Sequence, residues 1–137
     1  MTGVQTCALP ISAIPAGFDV DGFLRVAKLN FVRLQAANDA GNLADLREFV
    51  SPEIFAEIKL QLEERGKVAQ QTDVVTLNAS LLEVVTDGPR HIASVHFNGM
   101  IREDANAPAA AFDEVWNLTK PADGSSGWVV AGIQQLA

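Results

Sequence analysis

Two histidines and one adjacent acid pair are the residues of this chain best suited to chemistry. His91 and His96 could hold a metal or move protons, and Asp113-Glu114 could supply an acid, a base or a ligand. Their spacing argues against a shared site. Arg90 to Arg102 reads as one strand, and its two histidines differ by an odd number, so they face opposite sides and cannot share a metal ion. Asp113 and Glu114 are strand neighbours that point apart, with one of them able to turn inward beside Trp116. His96 with Asp113 is the one pairing that could serve a lyase or isomerase. The chain has no Ser, His and acid set at a recognisable spacing and no glycine-rich phosphate loop. The residues therefore point to binding rather than catalysis, with no metal and no cofactor expected.

Cys7 is the only cysteine, and it lies in a segment of suspect origin. Met1 to Ile11, MTGVQTCALPI, resembles the translation of a common short-read sequencing adapter begun at a GTG start codon. The expectation is a non-native tail over residues 1–14, adapter translation plus linker, followed by one domain over 15–137, with the natural gene starting further upstream. Without Cys7 the domain has neither a disulfide framework nor a thiolate metal site. The net charge of −7 belongs to the rest of the chain, because residues 1–12 carry none. That acidic balance excludes nucleic acid as an expected partner, since phosphate contacts need clustered Lys and Arg. It also weakens a purely electrostatic hold on an acidic bilayer. Hydrophobic residues make up 48% of the chain, enough for a single packed core.

The elements that must position these residues are legible from Phe18 onward. Asp19 is a suitable N-cap for a long helix in which Val20, Phe23, Leu24, Ala27, Phe31 and Leu34 fall within an arc of roughly 100°. Asn38, Asp39 and Gly41 stop it, Asn42 caps a short second helix, and Ser51-Pro52-Glu53 opens a third. Ile54, Phe55, Ile58 and Leu62 form the apolar stripe of that third helix, and Gly66 ends it. The period then switches from helical to alternating. Val75, Leu77, Ala79 and Leu81 share one parity and Leu82 and Val84 the other, which predicts a β-bulge near Leu81-Leu82. Three further strands follow: 90–102, 112–120 and 128–136. Four consecutive strands with short turns predict an antiparallel meander with one face covered by the helices, an α+β fold.

The segments FLRVAKLNFVRLQAANDAGNLADLREFVSPEIFAEI, QQTDVVTLNASLLEVV, HIASVHFNGMIRED, FDEVWNL and GWVVAGIQQL resemble the Tim44-like domain, in particular the C-terminal part of its proteobacterial members. The resemblance runs from Pro15 to Ala137. It implies a nuclear-transport-factor-two-like, or cystatin-like, cone: N-terminal helices on a curved four-stranded antiparallel sheet. The mitochondrial member of that family tethers the import-motor chaperone to the inner-membrane translocase and binds acidic lipid. By that likeness this chain is expected to be a non-catalytic, membrane-associated binding or tethering domain of a larger bacterial envelope protein. It would sit at the inner membrane through an upstream segment and be soluble itself. Its expected partners are a membrane surface or membrane protein, a lipid or acyl chain, or a second copy of the domain. Ketosteroid-isomerase-like members of the fold use an acid and a tyrosine, and this chain has no tyrosine.

Two sets of residues could carry binding. Phe23, Phe31, Phe55, Phe97 and Trp116, with Phe112 and Trp128 nearby in pattern, either fill the core or line an apolar pocket for an acyl chain or other small apolar ligand. Leu29, Val32 and Ala36 project from the first helix opposite its core stripe, in an arc of about 60° that includes Arg25. Arg25, Leu29 and Val32 are the candidate contact surface.

Overall fold

The structure, a computed structural model, describes residues 14–66, 71–104 and 106–136. The adapter-like residues 1–11 lie outside the described residues. Three helices come first: α1 (Val20–Ala40), α2 (Leu43–Phe49) and α3 (Pro52–Arg65). Four strands follow: β1 (Asp73–Asp87), β2 (Arg90–Arg102), β3 (Ala110–Pro121) and β4 (Val129–Gln135). The sheet is a meander of order β1-β2-β3-β4 in which every neighbouring pair is antiparallel. This is the α+β arrangement of helices followed by an antiparallel meander that the pattern predicts.

Each helix begins where its cap stands. The Asp19 carboxylate accepts the Gly22 N–H at 3.0 Å, Asn42 accepts from Asp45 N–H at 3.1 Å, and Ser51 accepts from Ile54 N–H at 3.3 Å. Each bond satisfies one of the donors a helix start leaves open. Gly41 ends α1 at φ 66°, in the left-handed region, and the chain turns at once into α2. Between α2 and α3, Ser51 N–H donates to the Val130 carbonyl at 2.7 Å, which ties the helical layer to β4.

The helices cover one face of the sheet. Phe23, Ala27, Phe31 and Leu34 of α1 are buried, as are Ile54 and Ile58 of α3. They meet Ala93, Val95 and Phe97 of β2, Trp116 and Leu118 of β3, and Val130 of β4. In register, Val95 stands opposite Trp116 and Ala93 opposite Leu118, so the large and small inward residues alternate across the strands.

The register shift between Leu81 and Glu83 puts a bulge at Leu82, as the change of parity predicts. Leu82 is therefore exposed while Val84 returns to the core. A second shift, between Val74 and Thr76, corrects the expected stripe. Val74 packs against the core and Val75 is exposed, because the extra residue flips every side chain on one side of it. Gly99 of β2 lies against this irregular stretch at φ 154°, and a Cβ there would stand 2.1 Å from the Thr76 carbonyl oxygen. Only glycine fits that approach. A third shift, between Asn117 and Leu118, interrupts the pairing of β3 with β4.

Candidate functional site

The five residues expected to line an apolar pocket fall into separate contacts among the described residues. Phe31, Phe97 and Trp116 are each at most 1% exposed and pack on one another, with ring centroids 5.0 Å (Phe31 to Phe97), 5.0 Å (Phe31 to Trp116) and 5.1 Å (Phe97 to Trp116) apart. Phe112 stacks on Phe31 at 5.2 Å. Such contacts add about 0.5–1.5 kcal/mol per pair to the burial itself. Phe23 belongs to a separate contact with Trp128 at 5.0 Å. Phe55 is half-buried, with the Arg47 guanidinium 4.6 Å from its ring centre. Phe31, Phe97 and Trp116 thus form one packed cluster, Trp116 and Phe31 each also line a cavity beside it, and Phe55 stands apart.

The residues of the expected contact surface are exposed on α1. Arg25 and Ala36 are exposed, Leu29 is 63% exposed and Val32 47%. Val26, also exposed, extends the same apolar strip. Lys28 is exposed beside it, and among the described residues neither Arg25 nor Lys28 has an ion-pair partner. Arg33 differs. Its Nε donates to both Asp45 carboxylate oxygens at 3.1 and 3.2 Å, and its guanidinium lies 4.4 Å over the Phe49 ring. Those hydrogen bonds from Arg33 hold the Asp45 carboxyl below the usual carboxylate range.

The acid pair separates as strand geometry requires. Asp113 faces the helix-free side of the sheet and contacts His96 Nε2 there, while Ser94 donates to Asn117 Oδ1 at 2.8 Å on the same side. His91 sits at the β1–β2 turn, its Nδ1 2.8 Å from Thr86 Oγ1. Glu114 turns inward. Its Oε1 accepts the Trp116 indole N–H at 2.9 Å, which fixes the carboxylate at the rim of the aromatic cluster.

Beyond that rim the helices and the sheet part. A cavity of about 500 Å³ opens between α1, α3 and the last two strands, with Leu34, Ile54, Ile58 and Trp116 among its walls. A second, of about 430 Å³, adjoins it toward β2 and the start of β3. The two share Gln35, Asn38, Gln61, Glu114 and Gln135. Sequence reasoning did not find this place, because its amides come from three distant elements and form no motif. The inward parity of Glu114 was the only signal.

Helices layered on one face of an antiparallel meander, with an open seam between the layers, define a two-layer α+β class of domain. Within that class, the Tim44-like domain model matches residues 8–135, and the chain belongs to that family. Among solved structures, a ketosteroid isomerase-like protein from Erwinia carotovora atroseptica SCRI1043 is similar at 15% identity, over 80% of this chain and 93% of that one, with a TM-score of 0.41. No curated protein matches by sequence. No described helix is long and apolar enough to cross a membrane.

Proposed function

We propose that this is a binding or tethering domain that docks on an anionic membrane surface through the outer face of α1. The observation that carries the reading is the composition of that face. Val26, Leu29 and Val32 are left in water beside Arg25 and Lys28, on a chain whose net charge is −7. A helix that lies in a bilayer interface needs this combination of an apolar strip with flanking cations. Scattered exposed apolar residues are ordinary, but three at helical spacing on one helix form a patch. Membership in the Tim44-like family supports the same reading, as does a core whose aromatic residues are committed to packing.

Co-sedimentation with vesicles rich in phosphatidylglycerol tests it. The protein should pellet with anionic vesicles at low salt and less so at high salt, since the cations are screened within about 8 Å at physiological ionic strength. Leu29→Glu with Val32→Glu should abolish pelleting while leaving the fold intact. Unchanged pelleting of the folded double variant would remove α1 from the interaction.

A further inference from the structure

The seam cavity has a chemical character that neither a core void nor an acyl tunnel has. Glu114 from β3 and Glu57 from α3 stand in the wall of its larger part, and Glu103 joins from the end of β2 in the smaller. Among the described residues lining both parts there is no Lys, Arg or His. Arg65, at the end of α3, is turned instead onto the Asn38 and Asp39 carbonyls, with its Nη2 3.0 and 3.3 Å from them. Gln35, Gln61 and Gln135 line the same space from α1, α3 and β4. Behind them the wall is aliphatic and aromatic: Ile54, Ile58 and Trp116.

We infer that this cavity binds a primary ammonium group carried on a short aliphatic chain. An ammonium has three donors and no acceptor, so carboxylates and amide oxygens are the groups that can satisfy it. Hydrogen bonds to charged partners contribute roughly twice as much as neutral ones. The aliphatic stem of such a ligand would lie against Ile54 and Ile58. Glu114 is the anchor. One of its oxygens is held by the indole N–H, so the carboxylate is oriented before any ligand arrives. A fatty acid, by contrast, would bring its carboxylate against Glu57 and Glu114 with no cation among the described lining residues to receive it, and such a group is repelled. The same chemistry could come from a free alkylamine or from the lysine side chain of a bound peptide.

The Trp116 indole N–H reports directly on the site in a proton–nitrogen NMR spectrum. Titration with n-pentylamine at neutral pH should shift that signal saturably and leave the Trp128 indole unmoved. Pentanol and pentanoate at the same concentrations should bind at least about tenfold more weakly, which corresponds to roughly 1.4 kcal/mol. Glu114→Gln should weaken pentylamine binding by a similar factor, and so should the surface variant Glu57→Gln, which stays available if the first fails to fold. A lysine-bearing hexapeptide that binds more tightly than pentylamine identifies a peptide as the source of the ammonium, and equal or weaker binding identifies a free amine. Pentanoate binding as tightly as the amine would overturn the inference. So would an absent saturable shift of Trp116, or pentylamine affinity unchanged in the folded variants.

Discussion

The two faces of α1 are built from similar residue types and meet opposite fates. On the inner face Phe23, Ala27, Phe31 and Leu34 are buried against the sheet, and Phe31 alone touches Phe97, Phe112 and Trp116. On the outer face Val26, Leu29 and Val32 have no cover, and the charged residues between them are cations. Counting apolar residues cannot tell the faces apart. What separates them is size and aromaticity inside, against aliphatics interleaved with Arg and Lys outside. A helix can therefore be anchored by one stripe while offering the other to a surface, and the two roles should respond differently to substitution.

The largest contrast is expected at Phe31. Phe31→Ala should cost about 3–5 kcal/mol, the usual range for truncating a buried aromatic. Domains of this size are stable by only about 5–15 kcal/mol, so the variant should approach unfolding in a denaturant titration. A loss below about 1 kcal/mol would mean that the ring cluster contributes little and that the inner face is not the anchor.

How much of this contrast could be read in the sequence differs by scale. The caps at Asp19, Asn42 and Ser51 were legible because each rests on a side chain bonding its own backbone a few residues away. The bulge at Leu82 was legible from a change of parity within one strand. The bulge at Val75 was not, because Val74 and Val75 are both apolar and either could face inward. Its signal was Gly99, a glycine in the middle of a strand, which marks a close backbone approach. The aromatic residues were assigned to a core or a pocket without a choice, and only packing geometry decides that. The seam cavity was hidden for a different reason: Gln35, Gln61 and Gln135 are far apart in sequence, and amides carry no spacing rule.

A middle-sized effect is expected where α1 begins. Asp19→Ala removes the acceptor for Gly22 N–H and should destabilise by about 1 kcal/mol. Both faces of the helix depend on that start, so the loss should appear equally in thermal unfolding and in vesicle binding near the melting temperature. An effect on binding alone, at a temperature where the fold is intact, would place Asp19 in the contact surface instead.

On the outer face the expected change in stability is smaller. Leu29→Glu with Val32→Glu should stay within about 0.5 kcal/mol of the parent in urea titration, because neither side chain is covered. Unfolding of the double variant would show that the strip is packed under some part of the protein and is not a free surface.

The smallest effect concerns the one outer-face cation that is already committed. Arg33 is held by Asp45 and by the Phe49 ring, which leaves Arg25 and Lys28 as the cations free for a partner. The hydrogen bonds from Arg33 lower the folded-state pKa of Asp45 below its ordinary 3.8. A depressed carboxylate contributes stability that is present above the unfolded value and lost as pH falls through the folded one. The difference in stability between the parent and Asp45→Asn should therefore be constant from about pH 6 down to about pH 5, then shrink as pH falls further below the ordinary carboxylate value. Asp123, lowered by the Ser125 backbone N–H, titrates in the same window, but it is present in both proteins and cancels in the difference. The pair is solvent-exposed, so salt should reduce the difference at every pH. A difference that persists unchanged at high salt would mean that Arg33 works mainly through its stacking on Phe49, with the carboxylate only steering it there. In that case Asp45→Asn should also leave vesicle binding unaltered, because the freed guanidinium would stay on the ring and would not join Arg25 and Lys28.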